Sequence, residues 1–263
     1  MTEQTYALSA EAADFYEATF VPALFGAWAR RLVEAAGVRP GERVLDVACG
    51  TGIVARTAAG RSGAVTGVDR NDAMLAVARR IRPELRWQLG DAHRLPFADG
   101  SFDVALSQAA LMFFDDPVAA LREMGRVAGR VAVQVPGRLS HSAGYRVFTE
   151  AVGPHAALVE AYFSAGDPEV LTGWFAAAGL RIDRFDSWVG ATRAPSLEAF
   201  VTGELLPLGV TADERIIAAC RAPMAGFVGI GGSVAVPLEA HLIIAQAAAS
   251  ASVGASRAAR IAG

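Results

Sequence analysis

VLDVACGTGIVA, residues 44–55, runs as an apolar strand pattern, breaks at Gly50 and Gly52, and resumes with apolar residues at helical spacing. Glycines at such a turn allow backbone conformations closed to other residues and bring the chain close to a ligand. Working outward, short apolar runs alternate with helical patterns. The runs at 43–48, 64–69, 85–90, 102–107 and 130–135 predict strands, and helices fit at 52–60, 72–81 and 117–127. Asn71 suits an N-cap for the second of these helices, and Asp116 before Pro117 suits the start of the third.

The flanks read differently. Residues 10–37 form an amphipathic helical lead-in carrying Phe15, Tyr16, Phe20, Phe25 and Trp28. After Val135 the strand–helix rhythm stops. Residues 138–178 read as loop and helices, with Asp167-Pro168 opening a helix and Gly179 closing it. A strand follows at 180–190, then helical segments at 196–206 and 212–221, and a last strand through 235–247. The expected fold class is α/β: a Rossmann-like, doubly wound, mostly parallel sheet of seven strands with a helical cap and an N-terminal helical lid. The expected organisation is a lid over residues 1–37, a ligand-binding core over 38–136, cap helices and last strands over 137–248, and a flexible small-residue tail over 249–263.

Composition narrows the function classes. Of the 263 residues, 53% are hydrophobic and 19% charged, which is a globular balance. A net charge of −3 leaves no basic footprint for nucleic acid. All 24 basic residues are arginine, so Schiff-base lysine, P-loop lysine and Tyr-x-x-x-Lys chemistry are excluded. Two cysteines, Cys49 and Cys220, fit a reducing compartment. The N-terminus lacks a signal-peptide pattern. The most apolar stretch, 222–238, is interrupted by glycine and proline and reads as a loop and buried strand, short of a bilayer span. A cytoplasmic protein without membrane contact is expected, and a homodimer is compatible with these features.

Gly50, Gly52 and Ala55 also fit the G-x-G-x-x-G/A fingerprint of dinucleotide enzymes, so the ligand must be decided elsewhere. Three carboxylates bear on it. Asp46 lies within the first strand, Asp69 ends the second and Asp91 ends the third. A carboxylate ending strand two can hydrogen-bond both hydroxyls of an adenosine ribose. A further one at the end of strand three suits an adenine amine, and Met74 and Leu75 offer a flat base an apolar rest.

The order D-x-x-C-G-T-G, V-D, G-D-A-x-x-L-P-F and F-D-V-A-L-S-Q, over about residues 40 to 136, resembles the class I S-adenosylmethionine-dependent methyltransferases. It looks most like the small-molecule group that includes the ubiquinone and menaquinone biosynthesis enzymes. The resemblance implies S-adenosylmethionine as cofactor. Asp46, Gly50 and Gly52 would surround its methionine part, with Ala48 and Cys49 lining it through backbone. Asp69 would bind the ribose, Arg70 and Met74 would flank the adenine, and Asp91 and the Ala92 N–H would take the adenine edge. Ser107 and Gln108 would sit beside the methyl group. Related sequences often carry a histidine after strand four, where this chain has Met112 and Phe113.

The expected reaction is methyl transfer to a small, rather hydrophobic metabolite, on oxygen or carbon, with no metal. The alternatives are a nicotinamide-dependent oxidoreductase and a non-catalytic cofactor-binding module. Among the four histidines, His141 follows strand five on the reactive edge and is the candidate base, with Gln108 aligning the acceptor. His93 reads as structural or exposed, and His155 and His241 read as structural. The aromatic N-terminal helix is expected to fold over cofactor and acceptor.

Overall fold

The computed structural model describes residues 9–247; the expected tail at 249–263 and the first eight residues of the expected lid lie outside the described residues. Seven strands form one sheet in the order β3-β2-β1-β4-β5-β7-β6. They are β1 (Arg43–Val47), β2 (Ala64–Asp69), β3 (Arg86–Leu89), β4 (Phe102–Gln108), β5 (Ala128–Pro136), β6 (Leu180–Ala194) and β7 (Val234–Ala247). The first five run parallel, and β7 is antiparallel to both β5 and β6. From β1 the chain steps outward to β2 and β3, then returns to place β4 on the other side of β1. Open α/β sheets bind ligands at such a reversal, outside the carboxyl ends of the strands.

Side chains on a strand alternate between faces, and burial follows that period of two. Val44, Val104, Leu106, Ala132 and Leu242 share a fully buried cluster with helices α2 (Gly26–Ala35) and α3 (Ile53–Ala59). Leu45, Ala105, Val131, Val133 and Ile243 join the opposite cluster with α5 (Pro117–Val127) and α8 (Pro168–Ala177). Helix α4 (Asp72–Ile81) starts at Asn71, whose side chain accepts from the Ala73 and Met74 N–H groups. Asp116 caps α5 through Ala119, with Pro117 in the first turn. Both caps fall where the sequence put them.

The lead-in divides in two. Helix α1 (Ala10–Phe20) passes through a π-helical turn, Val21–Phe25, into α2. Pro22 sits in that turn and brings no backbone N–H to an i−4 ladder. Helix α2 is not lid: Ala29, Leu32 and Val33 are fully buried against α3 and the sheet. Helix α1 overhangs the carboxyl edge, with Phe25 of the π turn and Trp28 of α2 beside it on the wall of one cavity. A salt bridge from Glu17 to Arg56 at 2.9 Å ties it to α3, and Asp14 pairs with Arg80 on α4.

The cap comprises α6 (Ala143–Ala151), α7 (Ala156–Glu160), α9 (Leu197–Leu205) and α10 (Glu214–Met224), which share a buried cluster with Leu24 and Trp28. Strand β6 is longer than its 180–190 pattern predicts. Its last residues, through Ala194, pair with Val234–Leu238 of β7 and carry this antiparallel pair into the cap. Residues 222–224, expected in a loop, end α10. No helix among the described residues is long and apolar enough to cross a membrane.

Trp87 fixes the glycine loop against the sheet. A Cβ added to Gly52 would lie 2.3 Å from its ring and one added to Gly67 2.5 Å, so neither site has room for a methyl group. Gly67→Ala should destabilise the protein by about 1–3 kcal/mol through overpacking, read by denaturant unfolding, and Trp87→Leu in the same background should recover part of the loss. Equal stability of Gly67→Ala and wild type would show that the ring yields freely.

Candidate active site

The carboxyl ends of β1 and β4 flank the reversal point, and both end in strained backbone. Among the described residues, Ala48 and Ala109 are the non-glycine residues with positive φ, at 56° and 52°. Conformations of this kind cost free energy and concentrate at functional sites. Each is held by the sheet: Cys49 N–H donates to Val68 O at 3.0 Å, and Ala109 N–H to Gln134 O at 2.8 Å. Gly50 and Gly52 continue the loop with φ of 53° and 86°.

Two carboxyls clamp this loop from below. Asp46, 1% exposed, accepts the Ala55 N–H at 2.8 Å and so satisfies a first-turn donor of α3. Asp69 accepts the Gly50 N–H through one oxygen and the Asn71 N–H through the other, both at 2.8 Å. Each oxygen keeps further acceptor capacity for a ligand. Burial pushes the Asp46 carboxyl up to about 8, against the Ala55 bond that lowers it. Burial likewise raises Asp69, opposed by the bonds from Asn71 and Gly50.

A single cavity opens on this loop. Its floor is Asp46, Ala48, Cys49, Gly50, Asp69, Arg70 and Met74, with Asp91, Ala92 and His93 at one end. Burial raises Asp91, but bonds from the His93 backbone N–H and imidazole outweigh it and leave the carboxyl below its ordinary value. His93, expected to be structural or exposed, is thus on the cavity wall, 2.7 Å from Asp91 Oδ1. The roof is Tyr16, Phe20 and Phe25, stacked with ring centroids 5.5–6.0 Å apart. Gln108 Nε2 donates to Phe25 O at 3.3 Å, while its buried Oε1 has no partner among the described residues. An unpaired buried acceptor on a cavity wall calls for a ligand donor.

Three expected site residues stand outside the cavity wall. Ser107 is 1% exposed and packs on the other side of the strand, because neighbouring strand residues face opposite ways and Gln108 takes the cavity. Gly52 turns toward Trp87 as the N-cap of α3. His141 is also displaced. The chain after β5 turns toward β7, where Arg138 N–H donates to Glu239 Oε2, and His141 Nδ1 lies 2.9 Å from Glu239 Oε1, half-exposed. It therefore does not line the cavity.

The far end of the cavity holds groups that the sequence reading missed. Tyr145 and Glu204 reach it from α6 and α9, beside Tyr162, Phe163, Leu208 and Leu238. Tyr145 Oη donates to Glu204 Oε1 at 2.6 Å and lies 2.6 Å from Thr192 Oγ1 on the β6 extension. Burial pushes the Glu204 carboxyl up to about 7, against the Tyr145 bond that lowers it. One signal was available: Phe200, Val201, Glu204, Leu205 and Leu208 share one helical stripe, with a lone acid among apolar residues.

Residues 45–130 match the family model described as a methyltransferase domain. A demethylmenaquinone methyltransferase of Beutenbergia cavernae is 45% identical over 109 residues, which is 40% of this chain and 45% of that protein. The chain thus spans less than half the length of this curated relative. A putative methyltransferase structure from Bacillus halodurans superposes with a TM-score of 0.60 at 19% identity, covering 84% of this chain and 99% of that one. A Haemonchus contortus phosphoethanolamine N-methyltransferase, solved with S-adenosylhomocysteine, gives a TM-score of 0.58 at 17% identity, covering 90% of this chain and 57% of that one. The fold is that of the class I methyltransferases, and the core sequence resembles the menaquinone-biosynthesis enzymes.

A carboxyl raised by folding adds stability that is complete below its ordinary value and is lost as pH rises through the raised one. For Asp46 that window runs from 3.8 to about 8. Relative to Asp46→Asn, unliganded wild type should therefore lose stability steadily from about pH 5 to pH 8. Thermal unfolding of both proteins across that range checks it; parallel curves would mean that Asp46 ionises without cost.

Proposed function

We propose that the protein transfers a methyl group from S-adenosylmethionine to a small, rather hydrophobic metabolite, with an oxygen or carbon acceptor favoured. The observation that carries this reading is the continuity of one cavity from an acid-lined loop to an aromatic chamber. The residues fit the cofactor on their own chemistry. Asp46 is buried and Asp69 half-buried, and desolvation raises both carboxyls, so the site favours a ligand that brings positive charge. A dinucleotide pyrophosphate would bring negative charge to the same carboxyls, and the Ala55 amide at the start of α3 is already taken by Asp46. That disfavours the nicotinamide alternative.

In this reading Asp46, Ala48, Cys49 and Gly50 hold the methionine end, Asp69 the ribose, and Asp91, Ala92, Arg70 and Met74 the adenine. Gly52 acts from behind, by letting Trp87 pack under the loop. When bound, S-adenosylmethionine supplies an electrophilic methyl carbon activated by its sulfonium. The chain's own work is then to align the acceptor and exclude water. Gln108, between the loop and the chamber, offers its free Oε1 for alignment. Helix α1 closes the roof, with its aromatic stack over the cavity and its Glu17–Arg56 latch on α3. The chamber beyond makes a merely cofactor-binding module the weaker reading. The cytoplasm is the compartment that suits this chemistry.

Isothermal titration with S-adenosylmethionine, S-adenosylhomocysteine and NAD tests the assignment. The first two should bind and NAD should not. Asp69→Ala should weaken S-adenosylhomocysteine by about 2–3 kcal/mol, the loss of charge-assisted bonds. Unchanged affinity in the folded variant, or preferential NAD binding, would overturn the reading.

A further inference from the structure

Glu204 is 4% exposed, yet it lines the cavity at the end away from Asp91 and Ala92. Tyr145 fills Oε1, and among the described residues nothing donates to Oε2. The titratable groups facing it are the Tyr145 phenol from α6 and, through Tyr145, the Tyr162 phenol; no arginine or histidine is among them. Phe148, Phe163 and Phe200 pack edge-on around these groups, with the Tyr145 ring 5.4 Å from Phe163 and 5.8 Å from Phe200. A carboxyl buried only for packing is a poor choice, because an apolar side chain of similar size serves at no desolvation cost. This one is instead anchored through one oxygen while the other is left for a ligand.

We propose that Glu204 is the base for an acceptor with an acidic hydroxyl, a flat apolar phenol or enol, and that Tyr145 positions its carboxyl. The proposal rests on the methyl-transfer reading above. The hydroxyl O–H bond breaks as its proton passes to Glu204 Oε2, and the bond's electron pair stays on the acceptor as an oxyanion or enolate. That electron pair forms the new bond to the methyl carbon as the carbon–sulfur bond breaks, and its electrons return to sulfur. One carboxylate and one sulfonium are present at the start; a carboxylic acid and a thioether remain at the end. No net charge is created in a low-dielectric chamber, which favours this course. An ammonium acceptor would leave a methylated cation beside a neutral Glu204, so amines are disfavoured by the same count.

Three naphthyl probes discriminate: 2-naphthol, 2-methoxynaphthalene and 2-naphthylmethylammonium, titrated calorimetrically into the S-adenosylhomocysteine-loaded protein. The alcohol should bind roughly 10- to 100-fold more tightly than its methyl ether, and Glu204→Gln should erase the difference. The preference should fade as pH falls through about 7, where Glu204 takes up its proton. Tyr145→Phe removes a bond that lowers the Glu204 carboxyl, so it should move that limb to higher pH. Turnover of 2-naphthol should fall about 10²–10⁴-fold in Glu204→Gln. S-adenosylhomocysteine affinity should stay unchanged in both variants, which also confirms that they fold. Tightest binding of the ammonium, an alcohol preference that survives in Glu204→Gln, or no naphthol binding would overturn the proposal. Failure of S-adenosylhomocysteine to bind wild type would instead overturn the methyl-transfer reading beneath it.

Discussion

The clamp of two carboxyls under the glycine loop, Asp46 buried and Asp69 half-buried, is the constraint on which the rest depends. Asp46 holds the first turn of α3 through Ala55, and Asp69 holds Gly50 and the entry to α4 through Asn71. With these bonds in place, Ala48 and the loop glycines keep positive φ, and the backbone lies open along the carboxyl edge. Trp87 closes the space behind it, which explains why both Gly52 and Gly67 lack side chains. Ionising Asp46 there is costly, since burial opposes its charge and the Ala55 bond and the Arg56 charge only partly compensate. A cationic ligand offsets that cost.

From this floor the cavity is assembled out of distant parts of the chain. Helix α1 supplies the roof, and the cap supplies the aromatic chamber. Gln108, at the end of β4, bonds to Phe25 O and so touches both roof and floor. The cap is positioned by the long β6–β7 pair. Its extension past the sheet carries Thr192 to Tyr145, and Tyr145 holds Glu204. A change in the cap therefore alters the far end of the cavity without moving the loop. This division fits a sequence whose core resembles the quinone-biosynthesis enzymes while the cap lies outside the matched segment.

The sheet was legible because parallel strands buried on both faces write continuous apolar runs, separated by helices with recognisable caps at Asn71 and Asp116. The grouping of the loop residues on one cavity wall was legible because they sit at strand ends, where position in the motif fixes position in space. Sequence could not separate α1 from α2, since both are amphipathic and only packing shows that Leu32 and Val33 are interior. Strand β6 was cut short because its last residues alternate weakly and gain their pairing from β7. His141 was misplaced because the direction of a turn after a strand is set by long-range bonds, here to Glu239. Tyr145 and Glu204 are 59 residues apart and meet only through tertiary packing, so no local motif announces them.

In the proposed reading Asp46 waits for a cation. Burial raises its carboxyl to about 8, so on that reading Asp46 gives up a proton when an ammonium-bearing ligand binds. Calorimetric titration of S-adenosylhomocysteine in buffers of different ionisation enthalpy counts the protons exchanged. At about pH 7 the account predicts release of close to one proton per molecule bound in wild type and of none in Asp46→Asn. Binding with no proton released, or with the same release in both proteins, would contradict it.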